Sequence, residues 1–160
     1  LGDVYKRQTL DLDKIFGISA QNRAGIYVGT QGNLCVLLSG QSDPTTSGSA
    51  TSTSSAKLVD STKNYSDSRD SSGTFVQQGD IVVNTTDGTA AFVSNVDTGN
   101  NLLDLVDASN SASNIMASGE NYEIYRATLF QNIAAGSFLP IQVDRVFALA
   151  TTADDIIAIY

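Results

Sequence analysis

The chain has 160 residues, of which 41% are hydrophobic and only 16% are charged, and its net charge is −8. This length allows one domain or two small ones. The acidic excess disfavours nucleic acid as a partner, because binding the phosphate backbone needs clustered Lys and Arg, and no apolar run reaches the roughly 20 residues that span a bilayer. With no histidine and one cysteine, Cys35, neither an internal disulfide nor a Cys/His zinc site can form.

Residues 1–22 are interpreted as an N-terminal arm. Residues 1–8 resemble the translation of a transposon end used to fragment DNA for sequencing. This resemblance indicates a metagenomic fragment without its true N-terminus, so we leave these residues out of the fold argument. In residues 9–22 three apolar side chains have helical spacing, but Gly17 stops the pattern within two turns. A short helix and an extended arm are therefore both open.

Residues 23–40 predict two strands of a β-sheet. Ile26–Val28 form the first strand, and Gly29–Gly32 form a turn whose two glycines can take positive φ. Asn33–Ser39 form the second strand. Its unbroken apolar run predicts burial on both faces, with Cys35 as a small buried hydrophobe.

A long polar excursion follows and divides into two parts. Residues 41–56 are rich in Ser, Thr and Gly and have little to bury, so they are predicted to be a flexible linker or a long exposed loop. Residues 57–126 predict a small inserted β domain, barrel-like and acidic: from residue 42 to 126 there are eleven acidic and four basic residues, a net charge of −7. Its predicted strands are Lys57–Val59, Asp80–Asn84, Thr89–Val96, Leu102–Val106 and Tyr122–Arg126, with hairpin turns at Thr86–Gly88 and Asp97–Asn100.

Two polar loops of this inserted domain, residues 61–73 and 108–119, are long for a domain of its size. Long loops on a small β scaffold often carry recognition, although tolerated insertions explain them equally well. The candidate recognition residues in these loops are Tyr65, Asp67, Arg69, Asn110 and Asn114.

Residues 127–160 resume the strand pattern of residues 23–40. The predicted strands are Thr128–Ile133, a long strand that runs to Phe147, and Ile156–Tyr160. Unbroken alternation in the long strand puts Arg145 on its apolar face, and a bulge near Asp144 or a partner carboxylate would resolve this conflict. Pro140 cannot donate to a ladder, so the long strand is predicted to begin at a sheet edge or to have a frayed start.

These segments predict an all-β fold, a small jelly-roll-like β-sandwich formed by residues 23–40 and 127–160 and split by the inserted domain. Asn33–Ser39 and Thr128–Ile133 would form an ordinary hairpin without the excursion, and loop-closure entropy grows only logarithmically with the length of such an insert. Each unit is small for a strong core of its own, and strands apolar on both faces favour a homo-oligomer. The candidates for the core or the oligomer interface are Tyr27, Leu139, Ile141, Val143, Phe147, Ile157, Ile159 and Tyr160.

The sequence predicts no catalytic, cofactor or metal site. Triads of the Ser-His-Asp or Cys-His kind need a histidine, and Gly29–Gly32 lacks the Lys and the following helix of a phosphate-binding loop. Aspartates such as Asp104 and Asp107 lie close in sequence mainly because turns favour Asp. A calcium site formed by Asp97, Asp104 and Asp107 is a conceivable alternative.

Short motifs in both halves of the split sandwich resemble a known protein family. They are similar to RALYVGTxGDL, FxNVxxGxxLPxxVxRV and TTAxDIxALY of phage and gene-transfer-agent head-spike base proteins. The inserted domain lies outside this pattern and is similar to small β modules inserted in phage structural proteins. The residues that carry the resemblance are Arg23–Thr30 with Gly32-Asn33-Leu34, then Phe130–Ile133, Gly136, Leu139-Pro140 and Val143–Val146, and finally Thr151–Ile156 through Tyr160.

The resemblance implies a virion structural protein, a head-spike base or capsid decoration protein that forms a symmetric ring and contacts capsid and spike-fibre proteins. No catalytic residues and no cofactor come with the family, and neither nucleic acid nor a membrane is an expected partner. The alternative is a carbohydrate-binding or adhesin module for host attachment, whose insert reads a host surface polysaccharide. A carboxylate-based glycan hydrolase is disfavoured, because histidine and a convincing pair of carboxylates are both missing.

Overall fold

The computed structural model describes residues 7–9, 16–17, 24–40, 43–65, 76–97 and 99–159, and these residues form strands and turns without a helix. The prediction of an all-β fold is therefore confirmed. The chain divides into two compact units, which we call the split unit (Leu1–Ser42 with Ala127–Tyr160) and the central unit (Asp43–Arg126). The strands are β1 Arg7–Thr9, β2 Phe16–Gly17, β3 Ala24–Thr30, β4 Gly32–Leu38, β5 Thr46–Ser49, β6 Ser52–Ser54, β7 Lys57–Val59, β8 Ile81–Asn84, β9 Ala90–Asp97, β10 Leu102–Val106, β11 Asn121–Tyr125, β12 Thr128–Ile133, β13 Ser137–Phe147 and β14 Asp154–Ile159.

The split unit is one antiparallel sheet with the strand order β1-β14-β3-β13-β4-β12, and β2 pairs with β13 beside this path. β4 and β12 are neighbours, with Thr128 opposite Val36 and Phe130 opposite Leu34. The hairpin-like pairing predicted across the excursion is therefore confirmed. The chain leaves the sheet after β4 and returns to the adjacent position in β12.

The N-terminal arm contributes two short strands to the same sheet. β1 pairs with β14, and its Arg7 and Gln8 belong to the stretch that the sequence argument left out of the fold. β2 pairs with Arg145 and Val146, so Phe16 and Gly17 are extended rather than helical. The other residues of the arm lie outside the described residues, and the origin of residues 1–8 stays a prediction.

The turn predicted at Gly29–Gly32 is wrong. Only Gln31 separates β3 from β4, and the two strands do not pair, because β13 lies between them in the sheet. Neither glycine has positive φ. A Cβ atom at Gly32 would lie 2.3 Å from the backbone nitrogen of Ala153, so this glycine is required by close packing rather than by a turn.

The long strand β13 changes partners along its length. Its first residues pair with β3, and Val143 to Phe147 pair with β4. The register shifts between Val143 and Arg145, which confirms the predicted bulge near Asp144 and leaves Arg145 half-buried. The start of β13 is not frayed, since Ser137 already pairs with β3. Pro140 instead lies where the ladder is broken, between Leu139 and Val143.

The core of the split unit is aliphatic. In β3 and β14 buried residues alternate with more exposed ones, as expected of strands with one face against a core. In β4, by contrast, Leu34–Leu37 are all buried, which confirms the burial on both faces that was predicted for this strand. Leu139 and Ile141 are partly buried and pack against this cluster. Its buried members are Ile26, Val28, Leu34, Val36, Ile133, Val143, Val146, Ala153, Ile156 and Ala158.

The central unit is a second antiparallel sheet with the order β5-β11-β8-β9-β10-β7-β6. β5 and β6, the two strands at the ends of this order, are not neighbours in the sheet. The described part of the central unit is therefore an open sheet rather than a closed barrel. The five strands predicted here are present, and β7 and β10 have the predicted bounds. The turns predicted at Thr86–Gly88 and after Asp97 connect paired strands, and Gly88 has a φ of 81°.

The prediction that residues 41–56 are a flexible linker or an exposed loop is wrong where the segment forms strands. Residues 46–49 and 52–54 form the two edge strands of the central sheet, β5 and β6. β5 pairs with β11, and β6 pairs with β7. These Ser- and Thr-rich strands bury few side chains, so backbone pairing rather than side-chain burial holds them in the sheet.

Candidate functional sites

The outward-facing side of three strands in the split unit is apolar. In register across β13, β3 and β14, Phe138 lies opposite Tyr27, and Tyr27 lies opposite Ile157. Ile159 pairs with Gly25 one step along the same face. Phe138 is 54% exposed, the largest exposure among the large hydrophobic side chains of the described residues. We call these five residues the apolar outer face.

Gly25 shapes this face by its lack of a side chain. A Cβ atom there would lie 2.8 Å from Cζ of Phe138 and 2.9 Å from its Cε2. The phenyl ring therefore lies directly over the backbone of β3. This contact keeps the ring against the sheet while most of its surface stays exposed.

The structure separates the interface candidates into two groups. Tyr27, Ile157 and Ile159 lie half-buried on the apolar outer face. Val143 and Phe147 are fully buried, which leaves them no part in a surface contact. The partly buried Leu139 and Ile141 pack against the core, and Tyr160 lies outside the described residues.

Phe138 was missed as an interface residue by the sequence argument. Alternation in β13 grouped Leu139 with its apolar neighbours on one face, and Phe138, which falls on the opposite face, was not named as a candidate. The signal that identifies it is the pairing of β13 with β3, since Tyr27 opposite Phe138 makes both faces apolar.

The recognition candidates of the central unit do not form one site. Tyr65 is buried, so it does not present its ring to solvent. Asn110 is exposed at a turn with a φ of 64°. The Oδ1 atom of Asn114 accepts a hydrogen bond of 2.5 Å from the backbone nitrogen of Ala56, which ties its loop to the β6–β7 turn. Asp67 and Arg69 lie outside the described residues.

Tyr65 belongs to a buried polar network centred on Asp60, whose side chain is 0% exposed. The hydroxyl of Tyr122 donates to Oδ2 of Asp60 at 2.8 Å, and the hydroxyls of Tyr65 and Tyr122 are 2.5 Å apart. The backbone nitrogen of Thr62 donates to Oδ1 of Asp60 at 2.9 Å. Burial is the main cause that raises the pKa of Tyr65 and of Tyr122 above the ordinary value.

Gly48 on the edge strand β5 lies directly against this network. A Cβ atom at Gly48 would lie 2.7 Å from Oδ2 of Asp60 and 2.8 Å from the hydroxyl of Tyr122. The glycine therefore allows β5 to approach β11 and Asp60 closely. The buried network fixes the back of the β5–β11 ribbon from inside the central unit.

The other side of the β5–β11 ribbon carries a shallow cavity of about 300 Å³. Ser49 lies opposite Asn121 and Ser47 lies opposite Glu123, so the four polar side chains share one face. Oγ of Ser49 donates to Oδ1 of Asn121 at 2.5 Å, and the hydroxyl of Tyr125 donates to Oε2 of Glu123 at 2.5 Å. We call this the polar ribbon cavity, and it is lined by Ser47, Gly48, Ser49, Thr85, Asn121, Tyr122 and Glu123.

The aspartates considered for a calcium site each have a partner of another kind. Asp104 forms an ion pair with Lys57, and a hydrogen bond from Lys57 is the main cause that lowers its pKa. Hydrogen bonds, chiefly from Asn100 to Asp97 and from Ser109 to Asp107, lower the pKa of these two carboxyls. The described part of the chain has no group of three or more His, Cys, Asp or Glu residues suited to a metal ion.

Cys35 is a buried free thiol in the core of the split unit, as the sequence predicted. Burial raises its pKa to about 12. A thiol of this kind is a poor nucleophile at neutral pH, because the thiolate is the reactive form. Cys35 is therefore part of the packing of β4.

Comparison of the chain with family models, with curated proteins and with solved structures returned no match. Among the described residues there is no helix of the length and apolar character needed to cross a membrane.

Proposed function

We propose that the chain is a structural component of a phage virion, a head-spike base or capsid decoration protein that assembles as a homo-oligomer and displays its central unit. The motif residues that resemble the spike-base family support this proposal. Among the described residues, most of these motif residues lie on β3, β4, β12, β13 and β14, which belong to one sheet although the excursion separates them in sequence.

The observation that carries the proposal is the apolar outer face of the split unit. A sheet that packs its other side on a core normally presents polar side chains to water. Here Phe138, Tyr27 and Ile157 form an apolar row across three strands opposite the core. Phe138 is exposed and its two neighbours in the row are half-buried. Apolar surface that the chain leaves partly uncovered in this way marks interaction sites, and ring assembly through a second copy would cover it.

Light scattering after size-exclusion chromatography tests the assembly. We expect the full chain to form a stable oligomer at micromolar concentration and Phe138→Ser to lower its mass. Leu129→Ser is the matched control, because Leu129 is also exposed, at 39%, but lies on the edge strand β12, which β4 separates from the three strands of the apolar outer face. Circular dichroism should show the same strand content in all three proteins.

A monomer at micromolar concentration, or an equal loss of mass in both variants, would contradict the proposal. Genes for capsid, portal or fibre proteins beside this gene would support the virion assignment. Neighbouring genes of unrelated metabolism would count against it, whatever the oligomeric state.

A further inference from the structure

We propose that the polar ribbon cavity binds a neutral sugar residue of a glycan. This inference goes beyond the structural role proposed above and does not depend on it, because all seven lining residues belong to the central unit. It rests on the hydrogen-bonding groups, the charge, the size and the rigid backing of the cavity.

The hydrogen-bonding groups suit the hydroxyls of a sugar. Because Oδ1 of Asn121 accepts the hydrogen bond from Ser49, the amide nitrogen is left as the donor toward a ligand. Because the hydroxyl of Tyr125 occupies Oε2 of Glu123, Oε1 is the acceptor at the other end of the ribbon. Each sugar hydroxyl both donates and accepts, so adjacent hydroxyls can satisfy an amide donor and a carboxylate acceptor together.

Two further hydroxyls extend the same set. Ser47, on β5, lies opposite Glu123 of β11. Thr85 lies beside Asn121, and its backbone nitrogen donates a 2.9 Å hydrogen bond to the backbone carbonyl of Asn121. The side chains of Ser47 and Thr85 are partly or fully exposed. Donors and acceptors thus converge on one concave patch from three strands or strand ends.

The charge of the lining selects the class of sugar. Glu123 is its charged residue, and neither Lys nor Arg is among the lining residues. Acidic sugars and phosphates would meet a carboxylate without a compensating cation, which disfavours them. A single carboxylate is also too small a ligand set for a divalent cation.

The size and the rigid backing of the cavity also suit a sugar residue. At about 300 Å³ the cavity is at the small end of ligand sites, which run to about 1,000 Å³, and suits one sugar residue of a longer chain. The contact of Gly48 with Asp60 and Tyr122 fixes the spacing of β5 and β11 from behind. A site with fixed spacing loses less entropy when it binds.

Amide NMR of the full 160-residue protein tests the inference. The probes are glucose, galactose, mannose and N-acetylglucosamine, each added to about 50 mM, well above the dissociation constant of about 1 mM expected of a shallow site. We expect at least one of them to shift the amides of residues 47–49 and 121–123 in a saturable manner. Sialic acid and calcium chloride, used as charged probes, should leave these amides unchanged.

Two variants locate the site. Glu123→Gln keeps an acceptor for Tyr125 but removes the charge, and Asn121→Ala removes the amide donor; we expect each to weaken binding at least about tenfold. Asp43→Asn and Gln77→Ala are matched controls, because both residues are exposed in the central unit and do not line the cavity. Thr85→Ala serves as a second donor variant if Asn121→Ala changes the amide spectrum as a whole.

The inference is overturned if no neutral sugar shifts these amides, if the shifts lie elsewhere, or if the controls weaken binding as much as the cavity variants. It is also overturned if sialic acid or calcium shifts the same amides as strongly. Light scattering on Glu123→Gln should give the wild-type mass, so this test and the assembly test fail or succeed separately.

Discussion

The two sheets of this chain differ in how they treat polar groups. The central unit buries Asp60, Asp80 and Asn84, and each is hydrogen-bonded. The split unit has an aliphatic core, and Asp144 at its bulge is 6% exposed with an Oδ1 atom that has no hydrogen-bond partner in the described part of the chain. Its outer face is apolar as well, whereas the ribbon face of the central unit is polar.

The difference shows two ways of holding a small β unit together. In the central unit, buried polar side chains tie loops to strands: Nδ2 of Asn84 donates to the carbonyl of Ile115 at 2.7 Å and to Oε2 of Glu120 at 2.8 Å. In the split unit, close packing of neighbouring atoms against the glycines takes this role: side chains pack against Gly25 and Gly29, and backbone packs against Gly32. Removing a polar tie should therefore damage the central unit, and removing steric fit should damage the split unit.

The largest expected effect is that of Asp60→Ala. This change leaves the buried hydroxyl of Tyr122 and the backbone nitrogen of Thr62 without their acceptor, and we expect a loss of about 4 kcal/mol in the free energy of unfolding. Urea unfolding followed by tyrosine fluorescence measures it. Three of the six tyrosines, Tyr65, Tyr122 and Tyr125, belong to the central unit.

Asp43→Ala is the control for this prediction, because an exposed carboxylate should change stability by less than about 0.5 kcal/mol. The labelling rate of the buried Cys35 by a thiol reagent reports on the split unit separately. If the labelling rate of Cys35 showed that Asp60→Ala destabilises the split unit as much as the urea transition shows for the central unit, the proposed division of roles between the two units would be wrong.

Gly32→Ala should have the next largest effect, at about 3 kcal/mol, because its Cβ would lie 2.3 Å from backbone atoms that cannot rotate away. Gly40→Ala is its matched control in the same unit. Gly40 has open space around it and a φ of 92°, so the cost there is only the backbone strain of about 1 kcal/mol. Urea unfolding and the labelling rate of Cys35 should rank the two variants in this order, and equal losses would contradict the steric explanation.

The features that could be predicted from the sequence are those that follow from the residue pattern of a single strand. The bounds of β12 came out as Thr128–Ile133, because a turn follows and the run has a β pattern of its own. The bulge near Asp144 was predictable too, since a cation on an apolar face forces a break in alternation. Both inferences use information that is local in the chain.

The rest depends on partners that are distant in sequence. β5 and β6 could not be predicted, because Ser, Thr and Gly in an edge strand bury little and are held by pairing with β11 and β7. Tyr65 was a candidate recognition residue because it lies in a polar loop, yet it is buried beside Tyr122, which lies 57 positions away. The polar ribbon cavity likewise exists only because Ser49 pairs with Asn121, 72 positions away.

Tyr122→Phe should cost about 2 kcal/mol, because the lost hydroxyl bridges Asp60 and Tyr65 inside the central unit. Tyr65→Phe should cost about 1 kcal/mol, since the hydroxyl of Tyr65 contacts only the end of this network. Urea unfolding of the single variants and of Asp60→Ala with Tyr122→Phe gives a double-mutant cycle. We expect the double variant to lose clearly less than the sum, and strict additivity would show that the two side chains act independently.

The smallest expected effect is that of Asp104→Asn, which removes the ion pair with Lys57 on the exposed side of β7 and β10. The pKa of Asp104 is lowered in the folded chain from its ordinary value of 3.8, so its contribution to stability is present above that pH and is lost as the pH falls through the folded value. Partly exposed pairs contribute about 0.5 kcal/mol. Urea midpoints should therefore differ between wild type and variant at pH 7 and converge well below pH 3.8, and about 1 M salt should shrink the difference at pH 7.

Asp43→Asn makes the same change of charge without an ion pair and should show neither the difference nor its salt dependence. If the difference grew on acidification, the sign of the coupling would be wrong and the pair with Lys57 would not stabilise this edge of the central unit.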